Sequence, residues 1–443
     1  MPNVNVLPLR ERAQVRNRWL SVRLDEVLPA LMAREGFDLW IIAARENNED
    51  PVIMTMLPEP MMAARRRTIL LFFRRPDGGV DRYVVSRYGL GEYYEAVWDP
   101  DGGDEWSCVG RLVAERDPKV IGVDVSHTFA YGDGLTHSEY ELLMKSLGST
   151  YALRCRGAER LAVGWLEWRT RPEEDAYPGI VRIAHEVVAE AFSGRVIHPG
   201  VTTADDVVWW VRQRFTDLGL RAWFQPTISV QAEGLTDPGP GAAAARPKAD
   251  RTTAAPAAPT PPTPPAPAPS RRRLILPGDV LHCDVGLVYL GLCTDTQQNA
   301  YVRRSGETDA PAGLKAALAV GNRFQDITVS QFVAGRTGNQ ILAGALERAA
   351  AEGIKASLYT HPLGYHGHAA GPTIGLWDAQ GGVPGRGDYE LFDHTCHALE
   401  LNVRCGMPEW GGQEVRMALE EDILFSGGQV HFLDGRQTSL HLI

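Results

Sequence analysis

The sequence predicts a mixed α/β protein of two or three domains. Three observations support this prediction. The chain has 443 residues, helical and strand-like patterns alternate along its first part, and acidic residues recur inside apolar strand-like segments of its last part. Single hydrophobic cores rarely grow beyond about 250–300 residues, so a chain of this length is expected to divide.

The part of the chain up to about residue 160 is predicted to form a small α/β domain. Apolar residues at helical spacing between residues 10 and 36 indicate a helical segment that ends at Gly36. Pro76-Asp77-Gly78-Gly79 reads as a hairpin turn between two apolar segments. The strand patterns cover residues 38–43, 68–73, 82–85 and 120–125. Alternating helices and strands of this kind are typical of α/β domains.

A second region begins near residue 161. Thr170 and Glu173, with Pro172 between them, match a capping box and predict a helix that runs to Gly194. Two later segments, at residues 200–219 and 335–353, share a pattern: a glycine, a threonine two positions on, a helical stretch and a closing glycine. The two segments are either an internal two-fold repeat or two ordinary helices with glycine at their ends.

Residues 232–272 differ in composition from the rest of the chain. Ala, Pro and Thr dominate this segment, and large apolar side chains are nearly absent. Such a segment cannot offset its ordering entropy by burial, which predicts disorder or polyproline II structure. Because strand-like segments at residues 227–230 and 280–285 flank it, we interpret it as an insertion into a loop of one domain. We expect residues 236–270 to be mobile and dispensable for folding.

Composition and charge narrow the function classes. The formal net charge of −10 at pH 7 argues against nucleic-acid binding, which requires basic surfaces. The sequence contains no apolar stretch long enough to span a membrane and no signal-peptide core at its start. Its six cysteines form no CxxC pair, which favours free thiols in a reducing compartment. We therefore expect a cytoplasmic protein that binds neither nucleic acid nor membrane.

Acidic residues inside apolar strand patterns are the strongest signal of chemistry. Asp284 and Asp295 lie on two segments that predict a hairpin around residues 286–291, and this hairpin can bring both carboxylates to one side. Glu400 lies in the apolar segment 398–403. A buried carboxylate is costly unless it is paired or binds a metal.

A fourth acidic position lies in the segment 419–425. Period-two alternation places Glu421 on the face of Ile423 and Phe425, whereas Glu420 and Asp422 point to the other face. Each acidic residue alone has an ordinary alternative role; Asp284 could cap a turn and Glu421 could pair with Arg416.

Three histidines, at positions 361, 366 and 368, lie within eight residues that contain glycines and no charged side chain. Together with the acidic positions they give the order Asp, Asp, His, Glu, Glu. Four buried carboxylates cannot all stay ionised without cations. One imidazole among oxygen ligands suits Mn²⁺, Co²⁺, Fe²⁺ or Zn²⁺.

This order and its spacings resemble the pita-bread metallopeptidases, which include methionine aminopeptidase, aminopeptidase P, prolidase and their relative creatinase. Asp284 and Asp295 match the family's Asp-x10-Asp pair, and residues 367–371 match its GHxxG motif. Glu400 matches a Glu that is usually followed by Pro and here by Leu401; Glu421-Asp422 matches a Glu-Asp near the C-terminus. The resemblance implies an α+β protein: a creatinase-like N-terminal α/β domain at residues 1–160, and a pita-bread catalytic domain with a pseudo-two-fold repeat at residues 161–443.

The resemblance also implies a site and a reaction. Two divalent ions, Mn²⁺ or Co²⁺ with Zn²⁺ or Fe²⁺ as alternatives, would be held by Asp284, Asp295, His368, Glu400 and Glu421. Glu400 would take the proton of a metal-bridging hydroxide and pass it to the leaving amine. His361 and His366 would bind the substrate or its tetrahedral intermediate, and His366 is an alternative to His368 as the ligand. The implied substrate is the N-terminal peptide bond of a peptide, at Xaa-Pro, and the implied assembly is a homodimer.

The departures from the family pattern concern the surroundings of the substrate. Residues 223–231 lack the histidine that these peptidases carry before the first Asp, and His282 stands where an apolar residue is usual. The family's Asp-x-Thr-Arg-Thr reads Asp295-Thr296-Gln297-Gln298-Asn299, and its later His-Glu or His-Asp is replaced by Trp377-Asp378. Two alternatives therefore stay open: a creatinase-like hydrolase that cuts a C–N bond in a small molecule, and a non-catalytic binding protein on the same fold.

Overall fold

The structure is a computed structural model that describes residues 6–235 and 273–443. The predicted helical segment at the start of the chain is present and ends at Gly36, whose φ of 73° is left-handed. The elements of this first part are α1 (Leu9–Val22), a π-helical turn (Arg23–Val27), α2 (Leu28–Glu35), β1 (Leu39–Arg45), α3 (Ile53–Met56), β2 (Arg67–Arg74), β3 (Val80–Ser86), β4 (Glu95–Ala96), α4 (Glu105–Arg116), β5 (Ile121–Val123), a 3-10 turn (Ala130–Gly132), α5 (His137–Ala152), β6 (Cys155–Gly157) and α6 (Glu159–Glu167).

The strands of the first part form one sheet in the order β4-β3-β2-β1-β5-β6, counted within residues 6–235. β1 is buried along six of its seven residues because its side chains are apolar on both faces, as in strands that are covered on both sides. β1 pairs antiparallel with β2 and parallel with β5. The hairpin of β2 and β3 agrees with the turn predicted from the sequence.

The second part of the chain consists of helix pairs and longer strands. Its elements are α7 (Arg171–Ala191), α8 (Ala204–Asp217), β7 (Arg221–Ala222), β8 (Thr227–Gln231), β9 (Val280–Val285), β10 (Leu287–Tyr289), β11 (Leu292–Cys293), β12 (Thr296–Tyr301), α9 (Ala312–Val329), α10 (Gly338–Ala351), β13 (Lys355–Leu358), β14 (His361–Leu363), β15 (Thr395–Gly406), β16 (Glu414–Ser426), β17 (Gln429–Phe432) and β18 (His441–Leu442).

Most of these strands belong to one sheet with the order β13-β15-β16-β12-β9-β8, and β14, β17 and β18 join it at the sides. α7 to α10 pack on one face of the sheet, where the apolar side chains of the strands meet those of the helices. The odd-numbered residues of β15, such as Leu399 and Leu401, face these helices. The even-numbered residues, including Glu400, therefore face the opposite side.

The two halves of this second part repeat one arrangement. α8 and α10 each have 14 residues and each begins with a capping box, at Thr203 and at Thr337. β8 follows the first helix pair and pairs antiparallel with β9, and β13 follows the second and pairs antiparallel with β15. This is the predicted pseudo-two-fold repeat. The threonine of the sequence pattern is the cap only in the second half: in the first half the hydroxyl of Thr202 accepts from the backbone N–H of His198, and Thr203 is the cap.

The Ala/Pro/Thr-rich segment connects two neighbouring strands, since β8 and β9 pair directly. The expectation of disorder covers residues 232–272, of which 236–272 lie outside the described residues. For residues 232–235 the expectation is wrong: they form a turn in which Gln413 Nε2 donates to the carbonyl oxygens of Ala232 and Leu235. All six cysteines are described and are free thiols. Among the described residues, no helix combines the length and the apolar character needed to cross a membrane.

Candidate metal centre

A row of polar side chains crosses the middle of the large sheet on the face opposite the helices. The strand register pairs Asp284 with Gln297, Gln297 with Glu420, and Glu420 with Glu400. Neighbouring strands lie about 4.8 Å apart. Four adjacent strands thus bring three carboxylates and one amide together.

Asp295 and His361 complete the cluster from two different elements. Asp295 directly precedes β12, and its backbone N–H donates to the Asp422 carboxylate at 3.1 Å. The Nδ1 atom of His361 lies 3.1 Å from the carbonyl oxygen of Pro362. The Nε2 atom of His361 lies 3.5 Å from Asp295 Oδ2 and 3.5 Å from Glu420 Oε1. A hydrogen bond from one ring nitrogen to a backbone carbonyl is the arrangement that orients a metal-binding histidine.

The ligand atoms of these side chains fit a metal site. They form three overlapping groups, in each of which the atoms lie within 4.8 Å of one another: Asp284, Asp295 and Glu420; Asp295, His361 and His368; and His361, Glu400 and Glu420. Several of the atoms are buried without a hydrogen-bond partner within the described chain: Asp284 Oδ1, Asp295 Oδ1, His361 Nε2 and Glu420 Oε1. Buried polar atoms almost always have a partner, and divalent cations are the partner that this donor set suits.

The electrostatics of the cluster also favour bound cations. Burial raises the pKa of Asp284, and the nearby charges of Asp295 and Glu400 raise it further. Burial raises the pKa of Glu400 to about 8 although His361 opposes the shift, and burial together with Asp295 raises the pKa of Glu420. Burial lowers the pKa of His361, but Asp295 outweighs this effect and leaves the pKa above its usual value. Crowded carboxyls of this kind are ionised together only when positive charge is close.

The prediction that Glu421 belongs to this cluster is wrong. The backbone N–H of Gln437 donates to Glu421 Oε1 at 2.7 Å, and Glu421 Oε2 lies 3.3 Å from Nε2 of His185. Glu421 faces the helices, whereas Glu420 faces the candidate site, because neighbouring strand residues point to opposite faces.

The structure brings both His361 and His368 to Asp295, whereas the sequence predicted His368 as the ligand and His361 as a substrate contact. His361 begins β14, which pairs with β15 so that His361 lies opposite Ala398, two residues from Glu400. It is therefore buried among the carboxylates. His368 lies in the loop after β14 and is exposed; among the described residues it belongs to one group of candidate ligand atoms, with Asp295 and His361. Its ring meets the ring of His361 edge-on, with 4.6 Å between the centroids.

His366 lies outside the three groups of ligand atoms. Its ring stacks on Tyr131 with 4.2 Å between the centroids, and burial lowers its pKa to about 4. The Tyr131 hydroxyl donates to the carbonyl oxygen of His368 at 2.7 Å. The first part of the chain thus supplies one wall of the candidate site, which sequence reasoning missed because Tyr131 lies in a short turn with no motif of its own.

Trp223 also contacts the loop that carries His368. Its Nε1–H donates to the carbonyl oxygen of Thr294 at 2.8 Å, and its ring meets His368 edge-on at 5.2 Å. A Cβ atom on Gly367 would lie 2.1 Å from the indole ring, so only glycine fits there. Trp223 lies in the segment where the family carries a histidine, and here it positions the loop of His368.

Solved structures of peptidases resemble this chain over nearly its whole length. Neither the protein-family profiles nor the curated proteins that were compared match the sequence. An X-Pro aminopeptidase from Thermotoga maritima aligns at a TM-score of 0.61 over 94% of this chain and 100% of its own, with 15% sequence identity. A Xaa-Pro dipeptidase from Bacillus anthracis aligns at 0.61 over 98% of this chain and 99% of its own, with 16% identity. The chain has the pita-bread fold.

The pita-bread protein also aligns with a neighbour of another kind. The N-terminal domain of the FACT complex subunit SPT16 from Cicer arietinum aligns at a TM-score of 0.51 over 98% of each chain, with 11% identity. At these identities the alignments establish the fold.

Proposed function

We propose that this pita-bread protein is a dinuclear-metal-dependent peptidase that hydrolyses the N-terminal peptide bond of peptides, as a Xaa-Pro aminopeptidase or Xaa-Pro dipeptidase. The observation that carries the proposal is the cluster of carboxylates and imidazole in which four buried atoms, Asp284 Oδ1, Asp295 Oδ1, His361 Nε2 and Glu420 Oε1, have no hydrogen-bond partner within the described chain. The Xaa-Pro aminopeptidase and dipeptidase with the same fold support the choice of bond.

The proposed metal ligands are Asp284, Asp295, His361, Glu400 and Glu420. Two of them differ from the set that the resemblance implied: His361 takes the place of His368, and Glu420 takes the place of Glu421. Mn²⁺ or Co²⁺ are the proposed ions, with Zn²⁺ or Fe²⁺ as alternatives, because oxygen ligands dominate the set. Two divalent cations at such a site polarise the scissile carbonyl and make water a nucleophile at neutral pH.

The chain's own residues perform the proton transfer and the binding. Glu400 is the proposed general base: its carboxylate takes a proton from the attacking water and returns it to the leaving amine. His368 is exposed at the mouth and is the proposed contact with the substrate, held in place by Trp223 and Tyr131. His366, next to it, is the second candidate for substrate binding.

A creatinase-like hydrolase is the alternative within the same fold. It is favoured by the absence of a histidine from residues 223–231 and by the glutamine at position 297, since these departures alter the surroundings of the substrate. Creatinase-type chemistry does without the metal, so the complete ligand set in this chain argues against it. A metal requirement for turnover separates the two functions.

A non-catalytic binding protein on the same fold is the second alternative. The alignment with the SPT16 domain, which belongs to a subunit of a complex, is the observation that raises it. Such a protein has no need for buried carboxylates whose oxygens lack partners. Metal binding without hydrolysis of any substrate would favour this alternative over the peptidase.

The deciding experiment is an assay of the metal-stripped protein before and after reloading with Mn²⁺ or Co²⁺. The substrates are Xaa-Pro dipeptides, longer Xaa-Pro peptides, peptides with N-terminal Met, and creatine. We expect metal-dependent release of the N-terminal residue from Xaa-Pro peptides. Glu400→Gln should keep the fold and lose about 10²–10⁴ in rate. Cleavage of none of the peptides by the loaded protein would contradict the proposal.

Two further expectations stay predictions. We propose a homodimer and a cytoplasmic location, with peptides rather than nucleic acid or membrane as partners. Sedimentation of the purified full chain would test the dimer, and a fluorescent fusion would test the location.

A further inference from the structure

A chain of hydrogen bonds runs from His282 through Gln297 to the Glu400 carboxylate. The Nε2 atom of His282 lies 2.8 Å from Gln297 Oε1, and Gln297 Nε2 donates to Glu400 Oε1. His282 and Gln297 are only 6% and 3% exposed. We propose that His282 and Gln297 are positioning residues that fix the orientation of Glu400. This inference rests on the proposed function.

The chemistry of an amide fixes the direction of this chain. An amide nitrogen only donates and an amide oxygen only accepts. Because the nitrogen of Gln297 serves the Glu400 carboxylate, the oxygen of Gln297 must accept, and His282 must carry its proton on Nε2. His282 therefore keeps the amide from turning over. Glu400 Oε1 is engaged by Gln297, which leaves Glu400 Oε2 for the proposed metal and proton transfer.

The position of Gln297 in the sheet explains why an amide is present there. β12 and β16 occupy equivalent places in the two halves of the sheet, so Gln297 is the counterpart of Glu420. Gln297 lies directly opposite both Asp284 and Glu420. A carboxylate at this place would face two others, and like charges directly opposite destabilise a strand pair. Gln297 instead brings a neutral donor into a row of acceptors.

A histidine at position 282 completes the arrangement. His282 lies on β9 two residues before Asp284 and shares its face, opposite Asn299 on β12. From there it reaches Gln297 diagonally, which is within the range of long side chains. In the sequence, both residues departed from the family pattern, at a usually apolar position and at a usual threonine. The two departures form one interaction, which accounts for their occurring together.

The opposite face of the same strand offers a matched control. Gln298 Oε1 lies 2.7 Å from Nε2 of His441, and Gln298 is also 6% exposed. This pair has the same chemistry, but it points away from Glu400, and His441 is half-buried whereas His282 is buried. Variants of Gln297 and Gln298, whose burial is similar, should therefore lose similar stability and differ only in their effect on the site.

The test measures Mn²⁺ binding to the full chain by calorimetry, with kcat and KM for a Xaa-Pro peptide as a second readout. We expect Gln297→Met and His282→Phe each to weaken binding at the affected site by about 10–100-fold, as is typical when a residue behind a ligand is lost. The value of kcat should fall while KM changes little. The double variant should be no worse than Gln297→Met, because His282 acts through Gln297. His282→Gln retains a donor and should recover part of the loss.

Gln298→Met and His441→Phe should leave Mn²⁺ affinity and kcat unchanged. Mn²⁺ binding and kcat of Gln297→Met and His282→Phe equal to those of these controls would overturn the inference while the proposed function stands. A wild-type protein that binds no Mn²⁺ or Co²⁺ would overturn both. If Gln297→Met does not fold, the comparison of His282→Phe with His282→Gln decides: equal Mn²⁺ affinities of the two would overturn the inference.

Discussion

Glu400 on β15 lies directly opposite Glu420 on β16. Two like charges in this position destabilise a strand pair, and in the middle of the sheet Glu420 is buried and Glu400 is half-buried. Without cations the pair must hold a proton, and bound cations allow both carboxyls to be ionised. Metal binding and folding stability should be coupled.

The first prediction concerns this coupling. Mn²⁺ at about 100 times its Kd should add about 2.7 kcal/mol to the free energy of unfolding of the wild-type protein. Glu420→Gln should lose most of this increment, whereas its neighbour Glu421→Gln should keep it because Glu421 faces the helices. Urea unfolding with Mn²⁺ and with a chelator measures the increment for each variant. Equal increments for the two variants would contradict the placement of Glu420 in the site.

The second prediction separates the two histidines. His361→Ala should weaken Mn²⁺ binding by at least about tenfold, or about 1.4 kcal/mol, because Nε2 of His361 points at two carboxylates of the cluster. His368→Ala should retain the metal and lose about 10²-fold in kcat/KM, a loss typical of removing a contact with the reacting group. Calorimetry and steady-state kinetics give both values. A loss of metal in His368→Ala but not in His361→Ala would restore the assignment made from the motif.

The third prediction concerns the loop that carries His368. Gly367→Ala would bring a Cβ atom to 2.1 Å from Trp223, so the loop must move. A displacement of about 1 Å near a reacting centre can reduce the rate by about 10²-fold, and Mn²⁺ affinity should be unaffected because His361 lies on β14. Gly381→Ala is the control, since its added Cβ would meet no atom within 4 Å. Full activity of Gly367→Ala would show that the position of His368 does not matter for turnover.

The fourth prediction concerns pH and a buried carboxyl pair, Asp50 and Asp124, which is not part of the metal cluster. Burial raises the pKa of Asp50 to about 6, and burial together with Asp50 raises the pKa of Asp124. In the unfolded chain Asp50 releases its proton near pH 3.8, whereas in the folded protein it holds the proton up to a pH of about 6. The free energy of unfolding should therefore fall as the pH rises from about 4 through about 6. Asp50→Asn removes the contribution of Asp50 to this dependence and keeps an oxygen for the backbone N–H of Val52, the donor to Asp50 Oδ1 at 2.7 Å.

Unfolding free energies at pH 5, 6 and 8 test the carboxyl pair. The free energy of unfolding of Asp50→Asn minus that of the wild type should increase by about 1–2 kcal/mol between pH 5 and pH 8. This is within the limit of about 1.4 kcal/mol per pH unit for one proton. A change at the exposed Glu141 should leave the pH dependence as it is. If this difference in the free energy of unfolding instead decreases as the pH rises, the pair is ionised in the folded protein.

Parts of the fold and the site followed from the sequence because they depend on local patterns. The strands around Asp284 and Glu400 were recognisable since an acidic residue stood out in a short apolar run. The period-two alternation around Ile423 and Phe425 already predicts that Glu420 points away from the core. The motif match to Glu421 overrode this information and was wrong.

Other parts depend on pairing between distant segments. His361 becomes a candidate ligand only because β14 pairs with β15, and the glycines around His368 gave the stronger local signal. The contribution of Tyr131 depends on the packing of the first part of the chain against the second. The bond from the Asp295 backbone to Asp422 likewise links two strands that the sequence alone does not place side by side.

Anomalous diffraction from crystals of the protein loaded with Mn²⁺ tests the central claim most directly, because it locates the ions without any assumption about activity. The account predicts two peaks about 3.5–4 Å apart, surrounded by Asp284, Asp295, His361, Glu400 and Glu420. Glu421 should lie outside the coordination sphere. The absence of peaks from this cluster at saturating Mn²⁺, or peaks coordinated by Glu421, would contradict the account.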